Sequence, residues 1–457
     1  MKHSAVPFDP RTLLMLIDLP FVFAIVFLYR RMDGMRKGSF RYVTYLPCLL
    51  FLYTFSNWDS AKDGTPMDLM DDRYTSEVQA VKKFGLFTVD LMGILKLNQN
   101  KKLIDQLEIC KRKVSSPGDS IPAKPNILMI QVESMDAFSI QQKYQGKPIA
   151  PNLYAWSRKY VYFPYCLSYH KAGSTSDCEF SSINSTEALD YFPSMKIRNY
   201  DFPNSLAKKF LKNKYAVEIF HGNRGEYFNR KIAFKKMGFP IFHDMVSMGL
   251  KEVCWGAPDD EVFSYMLNRV EKVKEPFFFY VITMSSHEPF SFTRSYYQVP
   301  QFKKIQEDGV KNYYTCISYV DKTIAAFVEK IRKTHPNTFI MIYGDHTPGI
   351  RKGPYTQAAV NTSNNYYEFV PLIIITPDNK KHLENKMAAS FLDIAPTALA
   401  ASGCPYEIYT YGENLLQDST EMEIPFRQQW YDRKELFNII NKLKSLGKDS
   451  STKPRSK

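Results

Sequence analysis

Five short apolar runs, separated from one another by amphipathic helical stretches, restrict this chain more than any other feature. They are "NILMIQVE" (126–133), "AVEIF" (216–220), "PFFFYVIT" (276–283), "TFIMIY" (338–343) and "PLIIIT" (371–376). Between them "NSLAKKFLKN", "DEVFSYMLNRVEKV" and "YTCISYVDKTIAAFVEKIRKT" repeat apolar residues at helical spacing. Strands covered on both faces read as unbroken apolar runs. The pattern therefore predicts an α/β fold with a mostly parallel central sheet flanked by helices. In open sheets of this kind ligands collect outside the carboxyl ends of the strands.

The residues at those ends are suggestive. Glu133 closes the first run, His221 follows the second, His287 stands past the third within "SSHEPF", and Asp345 and His346 follow the fourth in "YGDH". Each alone has a structural reading, as a helix-cap neighbour or a turn residue. Together they put two carboxylates and three imidazoles on one edge of one sheet. Such a mixed oxygen and nitrogen set suits one divalent cation, Mn²⁺, Mg²⁺ or Zn²⁺. The stretch "KAGSTSDCEF" (171–180) then gains a second meaning. Its hydroxyls, thiol and carboxylates are ordinary turn chemistry, but a coordinated alcohol has a lowered pKa. Thr can then attack as an alkoxide without a Ser-His-Asp triad.

Of 457 residues, 44% are hydrophobic, which excludes general disorder, and the net charge is +13. No zinc-finger spacing or RNA-binding aromatic signature accompanies that charge, so nucleic acid is not an expected partner. A membrane is. "TLLMLIDLPFVFAIVFLY" (12–29) and "YVTYLPCLLFLYTFSNW" (42–58) approach spanning length, despite Asp18, Pro20 and Pro47. The basic loop "RRMDGMRKGSFR" between them reads as cytoplasmic, which puts everything after residue 58 outside. The expected organisation is a membrane region with two spans (1–58), a juxtamembrane helix and linker ending in "KVSSPGDSIPAKP" (59–124), an extracellular catalytic domain (125–430), and a C-terminal helix with a basic tail (431–457). Seven scattered cysteines without a CxxC exclude a dense disulfide framework and leave one exterior disulfide open.

Over roughly residues 70 to 420 these motifs resemble the lipoteichoic acid synthase-type phosphoglycerol transferases, membrane enzymes of the alkaline phosphatase and sulfatase superfamily. "NILMIQVESMDAF" resembles the family's opening strand and "AGSTSDCEF" its nucleophile loop; "FHGNRGEYFNR" resembles the substrate-binding segment. "SSHEPF" and "YGDHTPG" complete the set, with "VKKFGLFTVDL" similar to the juxtamembrane helix and "FLDIAPTALAASG" and "YGENLL" to later segments. The resemblance implies Thr175 as nucleophile, Glu133, Thr175, Asp345 and His346 as ligands of one divalent metal, Mn²⁺ foremost, and His221, Phe228, Arg230 and His287 as substrate-binding residues. It further implies a multi-pass protein of the cell membrane. Its donor would be phosphatidylglycerol, its acceptor a glycolipid or polyglycerolphosphate, and its role the building of lipoteichoic acid in the cell wall. The chain departs from the family in two ways: it has two evident spans where five are usual, and Phe228 where Trp is often found. A sulfatase proper would need a C/S-x-P-x-R motif, and neither Cys166 nor Cys178 sits in one. The rival expectations are a phosphoethanolamine transferase or phosphodiesterase with the same chemistry, and an inert membrane binding protein that keeps the fold.

Overall fold

The computed structural model describes residues 70–441 apart from 75–76, 108–111, 120–123, 293–295, 351–360, 363–364, 367, 380–382, 418–422, 427–428 and 439. The two apolar segments at 12–29 and 42–58 lie outside the described residues. Among the described residues no helix is long and apolar enough to cross a membrane.

The chain divides into two units. The smaller comprises residues up to Gln106 together with Lys196–Asn199 and Glu226–Arg230. In it, helices Glu77–Phe84 and Leu86–Leu95 meet at Gly85, whose φ of 81° suits glycine. They enclose a small core of Met70, Ala80, Val89 and Met92.

The larger unit is built on a nine-stranded sheet. Its main strands are β1 (Asn126–Val132), β2 (Val161–Ser168), β3 (Ala216–His221), β4 (Ile241–Asp244), β5 (Phe277–Ile282), β6 (Thr338–Gly344) and β7 (Glu368–Ile375), ordered β2-β7-β6-β1-β5-β3-β4. Two short strands, Leu383–Glu384 and Ala389–Ser390, pair with β2. All five apolar runs became strands. Every residue of β1, β5 and β6 is buried, because helices cover both faces. Alternation along β5 sorts the layers: Phe279 joins the core that includes Val262, Met266, Ile317 and Ile324, whereas Phe278 packs at 4.8 Å on Phe210 of helix Leu206–Lys212.

The sheet is mixed rather than simply parallel. β7, the "PLIIIT" run, is antiparallel to both β2 and β6, while the other pairs are parallel. Composition does not encode direction, since a strand buried on both faces reads the same either way. β2 escaped the sequence pattern because Pro164 interrupts it. The ladder accommodates that proline by a register shift between Val370 and Leu372, where Pro371 also lacks an N–H.

Two segments at the expected boundaries are ordered. Lys113–Ser116, assigned to the linker, is a strand paired with Tyr406–Tyr409. Past residue 430 the chain stays packed on the larger unit: Gln429–Asp432 forms a strand, and Arg433, wholly buried, makes a bidentate ion pair with Asp393 at 2.7 and 2.9 Å. None of the described cysteines, Cys166, Cys178, Cys254, Cys316 and Cys404, is disulfide-bonded.

Candidate active site

Two loops leave neighbouring parallel strands and are tied together. After β1 come Glu133 and Ser134; after β6 come Asp345 and His346. Asp345 Oδ1 accepts the amide hydrogens of Ser134 (2.7 Å) and His346 (2.6 Å), and Asp345 N donates to Val132 O. Gly344 permits this approach, because a methyl group there would collide with the carbonyl oxygen of Met135. Glu133 is held by Ser134 Oγ at 2.9 Å, and its amide donates to Thr283 Oγ1 beyond β5.

The candidate nucleophile loop (171–180) arrives from β2. Helix Thr175–Asn184 starts at Thr175, preceded by Ser174 in the positive-φ region (φ 57°, ψ −139°). Asp177 fastens this turn by accepting from the amides of Gly173 (2.5 Å) and Ser194 (3.3 Å). The candidates within the loop separate cleanly. Ser176 Oγ donates to Gly173 O, and Cys178 Sγ donates to Asp345 O at 3.3 Å, with burial and the Asp345 charge raising the thiol pKa well above its usual value. Ser174 Oγ meets His170. Thr175 Oγ1 lies 3.3 Å from His346 Nε2, the same nitrogen that stands 3.2 Å from Glu133 Oε1 and 3.6 Å from Asp345 Oδ1.

Glu133, Asp345 and His346 thus offer donor atoms within 4.8 Å of one another. His346 Nδ1–H donates to Thr347 O at 3.0 Å, which leaves the Nε2 lone pair for the cluster. Asp345 Oδ2 is buried without a hydrogen-bond partner among the described residues. Two buried carboxylates, an imidazole lone pair, a hydroxyl and an orphaned carboxylate oxygen fit a divalent cation.

The electrostatics agree. Burial would raise the Glu133 pKa, but the charge of His346, its hydrogen bond and the field of His287 together hold it below the usual carboxylate range. Asp345 is pushed well above its range by burial and by the Glu133 charge. Burial would lower His346, yet Asp345 and Glu133 hold its proton affinity well up. Two carboxylates this close in a dry site strain each other's charged forms, and a bound cation would relieve both.

Among the expected binding residues, His221 ends β3 and its Nδ1–H donates to Ile282 O at 3.0 Å. His287 follows β5, half-buried, with Trp255 5.8 Å away between ring centroids. Phe228 and Arg230 belong to the smaller unit. There the guanidinium sits 4.6 Å from the Phe228 ring centroid, and Tyr74 packs on the same ring at 5.3 Å. Sequence reasoning missed His170 and Glu368. His170 Nδ1 contacts Glu368 Oε1 at 3.1 Å, and its ring stacks on His346 at 4.3 Å and 14°. The available signal was Glu368 at the start of an apolar run, which marks the same sheet edge once β7 runs backwards.

Comparison with known proteins bears on this geometry. The family model described as Sulfatase matches residues 125–404. Lipoteichoic acid synthase from Staphylococcus aureus (strain NCTC 8325 / PS 47) is 24% identical over 459 residues, which cover 93% of this chain and 70% of that protein. The crystal structure of the lipoteichoic acid synthase LtaP from Listeria monocytogenes superposes with a TM-score of 0.59 at 20% identity, covering 78% of this chain and 99% of that one. A protein in the alkaline phosphatase superfamily from Vibrio parahaemolyticus gives 0.56 at 17% identity, covering 77% and 95%. At these identities the structural likenesses are likenesses of fold.

Proposed function

The chain belongs to the sulfatase family, and on that footing we propose that it is a phosphoglycerol transferase of the lipoteichoic acid synthase type. It moves glycerol phosphate from phosphatidylglycerol to a glycolipid or polyglycerolphosphate acceptor. One observation carries the reading: Thr175 Oγ1, at the first turn of a helix, meets the His346 side chain of the Glu133–Asp345–His346 cluster, and no other hydroxyl of its loop contacts a side chain of that cluster. Binding alone has no use for a nucleophile there.

Thr175 attacks the phosphorus of the donor. The bond from phosphorus to the diacylglycerol oxygen breaks, that oxygen takes a proton, and diacylglycerol leaves. Glycerol phosphate is then esterified to Thr175, until an acceptor hydroxyl attacks the phosphorus and restores the side chain. A divalent cation, Mn²⁺ foremost, held by Glu133, Asp345, His346 and Thr175, would supply the charge that keeps the Thr175 hydroxyl ionised. The amino end of helix Thr175–Asn184 adds a favourable dipole for an anionic phosphodiester. His221 and His287 hold phosphate oxygens by charge-assisted hydrogen bonds. The apolar segments at 12–29 and 42–58 anchor the chain in the cell membrane as a multi-pass protein. Its catalytic domain lies outside, where donor and diacylglycerol share the outer leaflet.

Two features favour glycerol over ethanolamine. An ammonium head group needs a carboxylate or an aromatic cage, and Asp177 is spent on the Gly173 and Ser194 amides. Glu179 is fully buried. The test incubates the full chain in detergent with phosphatidylglycerol or phosphatidylethanolamine, with Mn²⁺ or chelator. Metal-dependent diacylglycerol release from phosphatidylglycerol, with a glycerol-phosphate adduct mapped to Thr175, is expected. Release from phosphatidylethanolamine alone would assign the protein to the phosphoethanolamine transferases, and no release from either would leave a binding protein.

A further inference from the structure

Glu368 and His170 lie beside the cluster without belonging to it. The His170–His346–Glu368 group also has metal-ligand composition, but its hydrogen bonds argue against a second ion. His346 Nδ1 donates to Thr347 O, so its remaining nitrogen serves the Glu133–Asp345 side. His170 has both nitrogens engaged, Nδ1 with Glu368 Oε1 at 3.1 Å and Nε2 with Ser174 Oγ at 3.0 Å. Glu368 Oε2 accepts the amide hydrogen of Thr347 at 3.0 Å.

These contacts run in one chain. Glu368, at the amino end of β7, grips the backbone just past His346 and orients His170. His170 in turn stacks on the His346 ring and anchors the hydroxyl of Ser174. Ser174 is a non-glycine residue at φ 57° and ψ −139°, a conformation that persists only where surrounding contacts over-determine it. It directly precedes Thr175, so its backbone sets where the Thr175 hydroxyl begins.

We infer that Glu368 and His170 form a positioning dyad that fixes the ring of His346 and the backbone of Ser174 together, so that the metal ligand and the nucleophile keep one registration. The inference rests on the metal and Thr175 reading above. It differs from a structural role in what it predicts: the Ser174 branch governs turnover, while the His346 branch governs both turnover and metal affinity. Residues that orient metal ligands typically change affinity or activity 10–100-fold when removed.

The experiment uses the full chain in detergent. It measures Mn²⁺ affinity by calorimetry on the metal-stripped protein, and kcat and KM for diacylglycerol release. His170→Ala is expected to weaken Mn²⁺ binding about tenfold or more and to lower kcat by a similar factor, with KM within about threefold. Ser174→Ala should lower kcat with a loss of Mn²⁺ affinity far smaller than that of His170→Ala. Glu368→Gln, which keeps an acceptor for Thr347 N, should fall between the native protein and Glu368→Ala, with melting temperatures confirming that both fold. If His170→Ala leaves affinity and kcat within twofold of native, the dyad is overturned, and so it is if Ser174→Ala loses metal affinity as His170→Ala does. A native chain that neither binds Mn²⁺ nor releases diacylglycerol would instead overturn the proposed function.

Discussion

Replacing Asp345 by Asn should stabilise the metal-free protein while abolishing its response to metal. Asp345 Oδ1 carries two amide hydrogen bonds that an Asn oxygen can keep. Oδ2 is buried with no donor among the described residues, and the carboxyl is pushed well above its ordinary range by burial and by Glu133. An orphaned buried polar atom costs about 1–3 kcal/mol, and Asn would turn the repulsion from Glu133 into attraction for an amide N–H. The sign with pH follows from both shifted groups. A carboxyl whose folded pKa lies above its unfolded value of about 3.9 loses stability as pH rises past that value. His346, also raised, contributes most below about 6.5 and loses that contribution as pH climbs toward its folded value. Metal-free native protein should therefore weaken between pH 6 and pH 8. The Asn variant should exceed it at pH 8 by about 1–3 kcal/mol, or roughly 2–10 °C in melting temperature. With Mn²⁺ at a hundredfold over Kd, native protein should gain about 2.7 kcal/mol and the variant almost nothing. Differential scanning fluorimetry at both pH values, with and without Mn²⁺, decides it. A variant that melts below metal-free native protein at pH 8, or that Mn²⁺ stabilises equally, would refute the argument.

Thr175→Ala should cut turnover at least about 10³-fold while Mn²⁺ binding, read by calorimetry, persists. Ser176→Ala and Cys178→Ala, whose side chains point into backbone carbonyls, should both keep measurable activity in the same diacylglycerol assay. In intact cells a membrane-impermeant maleimide should label exposed Cys254 and miss cysteines introduced at 32–38; the reverse pattern would remove the exterior domain. Arg433→Ala strands Asp393 in the core and should cost about 3–5 kcal/mol in chemical denaturation, far more than an exposed ion pair would.

That Glu133, Asp345 and His346 come together was legible because all three follow parallel strands, where an apolar run followed by a polar residue betrays the sheet edge. Thr175 was not legible that way. It begins a helix within a turn-forming stretch, and only a metal elsewhere in the chain gives its hydroxyl a purpose. His170 and Glu368 stayed hidden for a different reason. A Glu before "FVPLIII" looks like the solvated start of a strand until that strand is known to run against its neighbours, which carries its first residue to the edge where the others have their last. Pro164 concealed β2 itself, and with it the direction from which the nucleophile loop enters. The strand at Lys113–Ser116 was not legible because four residues of mixed polarity become a strand only when a partner edge is supplied from nearly three hundred residues away.

That four-residue pairing bears on how a fragment of the larger unit would behave. Besides the ladder to Tyr406–Tyr409, Arg112 O accepts from Thr410 N, and Asp119 N donates to Gly403 O. A protease acting at 117–125 would sever the covalent tether yet leave Tyr406–Tyr409 either bound to a stray peptide or with a bare edge. An uncovered edge of that kind recruits foreign strands. A shed or recombinant fragment beginning at residue 120 should accordingly self-associate, whereas one that begins ahead of Arg112 carries its own edge cover and should stay monodisperse.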